Sequence, residues 1–523
     1  MDELFFQVLE GAFALPVILY TTVGVFLGIT VGAIPGLSGD MAIALLLPLI
    51  YKVSPAAALG MLMGIYKGSM FGGSISAISF GVPGTAAAAA TVEDGYPAKL
   101  KGHPKQAMLT ALYSSVTGDL ISTLLLVFVA VPMAKVALHF GPVEFFALYV
   151  FALMMISLLV VGEMKKGIAA AAIGLFIGTI GMDPMMGSVR LTFGISSLRG
   201  GIPLIPLLVG VFAVSELMIQ FGRECASRSA TKMAEDAQKA EALGVYDPAK
   251  DRMSLKIYWS TFRATLIGSG MGTFIGALPG AGGPVASIIA YDQARKSVKN
   301  PTRPFGEGAV EGVIASEAAN NACIGGALIP MLTLAVPGDA VTAVMLAAFY
   351  VHGLQPGPLL FVRTPELFSV VLAAGFLACF AMLLLGMTVV PRLSGIVLVP
   401  KRILMPLVTV LSVVGTYAVN SSMFDVGLMF CFGLAGFLMR SRGYPAAPLV
   451  LGLVLGEMMD SNLRRAVNMA MAGDSVFLEL FGRPSTVVLS LMVAFSVLAA
   501  VPAVKERIGA AASRLLSVFG SGR

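Results

Sequence analysis

The sequence is short of charge. Of its 523 residues only 12% are Asp, Glu, Lys or Arg, against 57% hydrophobic, where a soluble domain carries roughly 25% charged residues. That balance excludes an ordinary water-soluble fold and leaves a polytopic membrane protein. The formal net charge of +6 gathers in a few short polar segments, which argues for basic loops facing the cytoplasm and against a nucleic-acid partner. Cysteine is scarce: Cys225, Cys323, Cys379 and Cys431 stand singly. Without a C-x-x-C pair, neither a disulfide framework nor a thiolate metal centre has support, and the four read as apolar filler. Histidine is scarcer, at His103, His139 and His352, all near predicted segment ends. No G-x-x-x-x-G-K-[ST] string occurs, so this chain does not itself hydrolyse ATP. The start, Met1-Asp2-Glu3-Leu4-Phe5-Phe6, lacks the basic n-region of a cleavable signal, and the first apolar segment is expected to stay in the mature protein.

What is abundant is apolar sequence of spanning length, about 20 residues. Such segments fall at 14–32, 107–134, 143–162, 166–182 and 202–221. Beyond a polar stretch at 222–256 they resume at 257–278, 308–334, 366–390, 403–418, 421–439 and 484–503. Shorter or interrupted pieces at 40–50, 56–80, 338–351 and 446–459 bring the total to about eleven to thirteen crossings or part-crossings, an all-α fold. Pro and Gly break these runs at Gly32-Ala33-Ile34-Pro35-Gly36-Leu37-Ser38-Gly39, at Gly72-Gly73 and at Val82-Pro83-Gly84. They do so again at Gly276-Ala277-Leu278-Pro279-Gly280-Ala281-Gly282-Gly283 and at Val336-Pro337-Gly338. A broken helix frees N–H and C=O groups that lipid cannot satisfy, so each break is expected to line a cavity inside the protein.

The breaks recur at a steady distance. Pro35 to Pro279 is 244 positions, Gly73 to Gly326 is 253, Pro83 to Pro337 is 254, Gly95 to Gly353 is 258 and Pro206 to Pro448 is 242. An offset that drifts this slowly marks an internal duplication. Charge then gives the orientation of the copies. The loop at 95–106 carries Lys99, Lys101 and Lys105, whereas its counterpart at 353–365 carries Arg363 alone. Arg295, Lys296, Lys299 and Arg303 follow the second Pro-Gly break, whereas the counterpart at 51–55 has only Lys52. Because basic loops stay inside, counterpart loops are expected on opposite sides of the membrane. The chain therefore reads as two inverted-topology repeats, 1–221 and 257–503, joined by a polar cytoplasmic linker at 222–256. A polar tail at 504–523 carries Lys505, Arg507 and Arg514. Inverted repeats whose interrupted helices or re-entrant hairpins meet near the midplane are the usual build of secondary transporters.

The motifs also resemble a known family. Gly32 to Gly36, Leu45-Leu46-Leu47-Pro48-Leu49, Gly72-Gly73-Ser74, Asp94-Gly95-Tyr96, Gly181-Met182-Asp183-Pro184, Glu317-Ala318-Ala319-Asn320-Asn321-Ala322, Pro356-Gly357-Pro358, Asn420-Ser421-Ser422-Met423-Phe424-Asp425 and Asn462-Leu463-Arg464-Arg465 are similar to those of the large membrane subunit of the tripartite tricarboxylate transporters. The resemblance implies a permease of the bacterial inner membrane, partnered by a small four-helix membrane subunit and a periplasmic solute-binding protein. It implies the movement of carboxylates with sodium or protons, and no cofactor beyond that coupling ion.

The candidate site follows from the breaks and from the ionisable residues in apolar runs. Pro35, Gly36, Pro83, Gly84, Pro279, Gly280, Pro337 and Gly338 would turn helix N-termini toward an anionic carboxylate, with Ser38, Ser74, Ser76, Thr85 and Thr342 as nearby hydroxyls. Packing kinks in a tight bundle would leave a similar pattern. Asp40, Lys67, Glu317, Asp339 and Asp425 are expensive in lipid and should face the interior with partners. Glu317, with Asn320 and Asn321, is a candidate to coordinate a cation or carry a proton, or to make structural hydrogen bonds. Asp40, Lys67 and Asp339 stand where the resemblance implies neutral residues. Lys67 is a candidate for binding a substrate carboxylate, and the two acids for binding a substrate amine or neutralising Lys67 internally. Asp40, Glu317, Asp339 and Asp425 are the ion-coupling candidates; the ligands of any sodium ion stay unassigned. Two other classes remain open. Gly36-Leu37-Ser38-Gly39 reads as the G-x-S-G of an intramembrane serine protease, which needs a histidine base, and Tyr291-Asp292 with Pro337-Gly338-Asp339 faintly matches an intramembrane aspartyl protease. A channel is the third. Two related half-sites favour the permease.

Overall fold

The computed structural model describes residues 10, 14–159, 164–183, 186–226, 251, 253, 255–388, 401–472 and 482–499. Residues 1–9, most of the linker (227–250), Pro184 and the tail at 504–523 lie outside the described residues. The chain divides into two compact units, 1–138 with 203–441 and 139–202 with 442–523, so that each draws helices from both sequence halves. Nearly everything described is helical, and five described helices are long and apolar enough to cross a membrane: Leu15–Ala33, Pro104–Ala137, Leu204–Gly222, Pro365–Thr388 and Met423–Ser441. This is an all-α polytopic membrane protein.

The first unit begins with α1 (Leu15–Ala33), α2 (Gly39–Ile50) and α3 (Pro55–Phe80). Pro16 and Pro55 sit in the first turns of α1 and α3, where a missing N–H costs nothing. Gly24, Gly28 and Gly32 of α1 press against the backbone of Met61, Ile65 and Ser69, while Gly64, Gly68 and Gly72 of α3 press back on Thr21, Val25 and Ile29. A Cβ at any of these glycines would meet opposing main chain, which is how small residues let helices associate where lipid removes the hydrophobic drive. The order of contacts makes α1 and α3 parallel. Gly32 lies against Ser69 and Gly72, short of the C-terminal end of the 26-residue α3. Thus α1 ends alongside α3 before α3 does, and the chain breaks at Pro35-Gly36. Then α2 returns to the loop at 51–54, and α3 traverses the full length.

The sequence predicted an interruption at Gly72-Gly73, but α3 passes through both. The glycines serve close approach instead: Gly72 admits the backbone of α1, and Gly73 admits Thr85. The chain turns at Gly81, which adopts φ +66°. Residues 82–85 then double back along α3 until the Gly84 N–H donates to the Gly73 carbonyl at 3.1 Å. From there a short 3-10 turn at Ala86–Ala88 and α4 (Ala89–Leu100) lead outward to α5 (Pro104–Ala137).

A similar path recurs later. After α8, formed by Leu204–Leu208, a π-helical stretch Val209–Val214 and Ser215–Ala226, come α9 (Phe262–Gly276), α10 (Gly282–Ser297), α11 (Val310–Leu334) and α12 (Ala340–Val351); α6 (Pro142–Leu159) and α7 (Met164–Gly178) belong to the second unit. Gly268, Gly272 and Gly276 press on Ala315, Ala319 and Cys323 of α11, and each stands 244 positions after Gly24, Gly28 and Gly32. Here α11 ends at Ala335 with φ +57°, and Gly338 packs against Ala327 and the Gly276 carbonyl as Gly84 packs against Gly73 and the Gly32 carbonyl. The remaining helices of the unit are α13 (Pro365–Thr388), α14 (Lys401–Asn420) and α15 (Met423–Ser441).

Two loop pairs close the ends of this unit. At one end Lys101 pairs with Glu307 at 2.9 Å and Arg303 donates to Gln106 at 3.2 Å. Beneath them the buried Asp94 carboxylate accepts the N–H groups of Gly306, Gly308 and Ala309 at 2.8–2.9 Å and the Tyr291 hydroxyl at 2.9 Å. Elsewhere the rings of Tyr51 and His352 approach to 6.3 Å, joining the loop at 51–54 to the end of α12.

The second unit holds α6 (Pro142–Leu159), α7 (Met164–Gly178), a short hairpin of β1 (Gly181–Met182) and β2 (Val189–Arg190), α16 (Ala446–Ala472) and α17 (Pro484–Ala499). Gly181 is opposite Arg190 and Met182 opposite Val189. Gly174 of α7 and Gly452 of α16 pack against each other's helix backbones. Arg190 bridges Asp183 and Asp460, and Arg464 reaches the same two acids at 3.3 and 2.8 Å. The hydrogen bond to Asp183 holds the Arg190 guanidinium above its ordinary range.

Candidate functional site

The four helix breaks of the first unit come together in crossed pairs. The start of α10 meets the turn before α4: a Cβ on Gly283 would touch the Ala87 side chain at 2.9 Å and the Asn320 amide oxygen at 3.0 Å, and Ser287 Oγ donates to the Ala87 carbonyl at 2.8 Å. The start of α2 meets the start of α12, with Gly39 beside Val341. The two breaks of the later half are also tied directly, because the Gly280 N–H donates to the Gly338 carbonyl at 2.7 Å. Both Pro-Gly turns that precede a new helix place glycine at positive φ, +92° at Gly36 and +84° at Gly280, where a side chain would be strained.

The two crossed pairs differ electrically. At the α2–α12 crossing the N-terminal dipoles are supplied with anions by the protein. Asp40 stands in the first turn of α2, and Asp339 caps α12, accepting the Thr342 N–H at 2.8 Å and its hydroxyl at 2.7 Å. Tyr66 of α3 donates its hydroxyl to the other Asp339 oxygen at 2.5 Å. At the α10 crossing no acidic residue occupies the first turn of α10, and neither the Ala281 nor the Thr85 side chain caps a helix. The buried Thr85 hydroxyl and the Asn320 amide oxygen have no hydrogen-bond partner there, and the Asn321 amide oxygen, one residue further round α11, has none either. Helix N-termini without a capping anion, beside unsatisfied buried polar atoms, form an environment suited to a small anion with hydroxyl or carboxyl groups.

Glu317 lies at the centre, fully buried on α11. Its carboxylate accepts hydroxyls from Ser74 at 2.6 Å, Ser115 at 2.9 Å and Thr91, drawn from α3, α5 and α4. The Asn320 amide donates to the Met70 carbonyl and that of Asn321 to the Glu317 carbonyl, each at 3.3 Å. Three hydroxyls from three helices around a carboxylate can rotate to donate to it, or to accept from a proton or cation placed on it.

Lys67 does not join either acid that the sequence offered it. Its ammonium pairs with Asp119 of α5 at 2.9 Å, both side chains 0% exposed, and donates to the Thr123 hydroxyl and the Gly375 carbonyl, each at 2.9 Å. Asp339 lies against a different face of α3, because successive helical residues point about 100° apart and Tyr66, not Lys67, faces it. Cys379 is not apolar filler: its thiol donates to Asp119 at 3.2 Å and lies 3.5 Å from the ammonium. Asp119, inside the apolar run 107–134, carried the signal that would have found this pair, an ionisable residue in a spanning helix. Thr91 and Ser115 carried none, since single hydroxyls are common in such helices.

Among the remaining predicted residues, Ser76 bonds locally to the Gly73 carbonyl at 3.1 Å, and Ser38 heads α2 without capping it through its side chain. Asp425 is not drawn into the cluster; it opens α15, held by Asn420 at 2.8 Å and Ser422 at 3.2 Å. Two of the histidines stand at helix ends, His103 heading α5 and His352 ending α12. His352 meets Tyr51 at the other end of α2 from Ser38, so it is not placed to act as the base of a serine–histidine dyad.

Apolar helices broken at Pro-Gly turns around buried polar groups define a polytopic membrane transport protein. The chain belongs to the tripartite tricarboxylate transporter TctA family, whose profile matches residues 18–451. It is 36% identical over 464 residues to an uncharacterized 52.8 kDa protein in the TAR-I ttuC′ 3′ region of Agrobacterium vitis, covering 88% of this chain and 89% of that one. It is also 34% identical over 206 residues to an uncharacterized protein in the TAR-II ttuC′ 3′ region of the same organism, 39% of this chain and 85% of the relative. No solved structure matches.

Proposed function

We propose that this chain is the large permease subunit of a binding-protein-dependent secondary transporter. It takes up an organic di- or tricarboxylate, or a related organic acid, by cation symport with alternating access. The observation that carries this reading is the α10 crossing, where two uncapped helix N-termini converge beside the unpartnered oxygens of Thr85 and Asn320. Substrate carboxylates bind there, with Pro83, Gly84, Pro279 and Gly280 fixing the exposed N–H groups. Glu317 takes the coupling sodium ion or proton, using the hydroxyls of Ser74, Thr91 and Ser115. Loading it neutralises a buried carboxylate next to the anion site, so ion and substrate favour each other's binding.

The two halves, 1–221 and 257–503, are read as an inverted repeat. In support, the loop at 51–54 lies with the end of α12, and the loop after α4 lies with the loop before α11. Counterpart loops are thus not neighbours, and Lys101, Lys105, Lys299 and Arg303 belong to one end, as the positive-inside rule requires of a cytoplasmic face. The family assignment supports the partners, a small four-helix membrane subunit and a periplasmic solute-binding protein, and placement in a bacterial inner membrane. Uptake into proteoliposomes holding all three components, with sodium and proton gradients imposed separately, tests the reading. Glu317→Gln is expected to lose at least tenfold in uptake and to uncouple it from the driving ion, and Asn320→Ala to raise the substrate KM, both at normal expression. Unchanged uptake by both would sink the assignment.

A further inference from the structure

The two crossings of helix N-termini correspond position by position. Gly28 rests on Ile65 and Gly272 on Ala319, Gly32 on Ser69 and Gly276 on Cys323, so α3 and α11 correspond at an offset of 254, the spacing of Pro83 and Pro337. At that offset Tyr66 corresponds to Asn320 and Thr85 to Asp339. At the α2–α12 crossing Tyr66 and Asp339 are joined directly, the phenol donating to a carboxylate that also caps α12. At the α10 crossing the corresponding pair is not joined. The Thr85 hydroxyl and the Asn320 amide oxygen have no partner, although Thr85 is 9% exposed and Asn320 0%. Asn is shorter than Tyr and Thr is shorter than Asp, so the contact that closes one crossing is left open at the other.

The open positions also specify a chemistry. The Asn320 amide donates to the Met70 carbonyl, and its oxygen lies against the start of α10, 3.0 Å from where a Cβ on Gly283 would stand. That oxygen can only accept, and an ionised carboxylate has no proton to give it. The α2–α12 crossing contains an anion for the helix N-terminus and a hydroxyl that donates across the gap; the α10 crossing has neither. A carboxylate alone supplies the first and leaves a buried acceptor unpaired.

We propose that the α10 crossing takes a hydroxycarboxylate, with the carboxylate at the N–H groups of the helix start and the neighbouring hydroxyl donating to Asn320 Oδ1. Asn320 is then the residue that selects hydroxy acids over their deoxy counterparts. A hydroxyl suits both unpartnered groups, since it donates to Asn320 and accepts from Thr85. An ammonium in its place would donate but accept nothing, and it would meet the positive ends of the helix dipoles. This inference rests on the carboxylate-transport reading and deepens it.

The test is calorimetric titration of the purified full chain in detergent with two sets of acids. Succinate, racemic malate and racemic aspartate differ only in a hydrogen, a hydroxyl or an ammonium group at one carbon; tricarballylate and citrate differ only in a hydroxyl. In whichever set binds, the hydroxy acid is expected to bind at least about tenfold more tightly than its deoxy counterpart, and malate more tightly than aspartate. Asn320→Leu, close to the parent residue in size, is expected to weaken the hydroxy acid and spare the deoxy one, bringing the ratio within about twofold. A merely structural role would weaken both alike. Asn320→Ala serves where Asn320→Leu does not fold, and the parent's ratio decides where neither does. Equal binding of hydroxy and deoxy acids by the parent, tighter binding of aspartate than of malate, or a ratio that survives the Asn320 substitution overturns the inference and leaves the transport reading intact. Binding of none of the five acids overturns it too, and the transport reading falls with it only if proteoliposomes holding all three components take up none of them.

Discussion

Lys67 and Asp119 show what a buried charge demands. Each alone would be held in a space without water at a cost of several kcal/mol, and each is tolerable only because the other lies 2.9 Å away. Removing one partner is therefore worse than removing both. Lys67→Met is expected to destabilise the protein by about 3–5 kcal/mol, and Asp119→Asn added to it to restore most of that loss, as measured by denaturant unfolding in detergent. Asp339 illustrates a different use of charge: the capping box with Thr342 and the bond from Tyr66 occupy its oxygens. It supplies α12 with the anion that would otherwise have to come from a ligand. Asp40 and Asp339 were legible in the sequence as ionisable residues in apolar runs. Which cation they do not pair with was not, because one residue's step along α3 turns the side chain to another face.

At the scale of elements, the glycine ladders decide how near the broken helices come. Gly24, Gly28 and Gly32 bring α1 onto α3, and Gly268, Gly272 and Gly276 bring α9 onto α11. The helix before each of these breaks is thereby held against a continuous helix. Gly272→Val would drive a branched side chain into the Ala319 backbone, whereas Gly270→Val on the same helix meets nothing within 4 Å. The first is expected to cost about 3 kcal/mol or more, seen as loss of monodisperse protein on size-exclusion, and the second to behave like the parent. The same logic corrects the Gly72-Gly73 reading. Glycine in an apolar run signals either a break or a close approach, and only the partner helix distinguishes them.

For the whole molecule, the proposed inverted repeat makes a claim about sides. In a background with Cys225 and Cys431 replaced by Ser, single cysteines at Lys101 and Lys299 are expected to react with a membrane-impermeant thiol reagent from the same side. Cysteines at Lys52 and Arg363 are expected to react only from the other. Labelling of all four from one side would defeat the inverted arrangement. Positions 52, 101, 299 and 363 are all exposed, so accessibility does not confound the comparison.

The sequence by itself determined that the chain is an all-α membrane protein, that its helices break at the Pro-Gly strings and which family it belongs to. Hydropathy, Pro-Gly placement and motif strings are local properties, and lipid enforces them one segment at a time. Tertiary structure decided which breaks meet, that Glu317 is ringed by hydroxyls of α3, α4 and α5, and that Lys67 belongs to Asp119. Those pairings join residues 52 to 243 positions apart. They depend on which face of each helix the glycine ladders turn inward, a choice that becomes definite only when two helices touch.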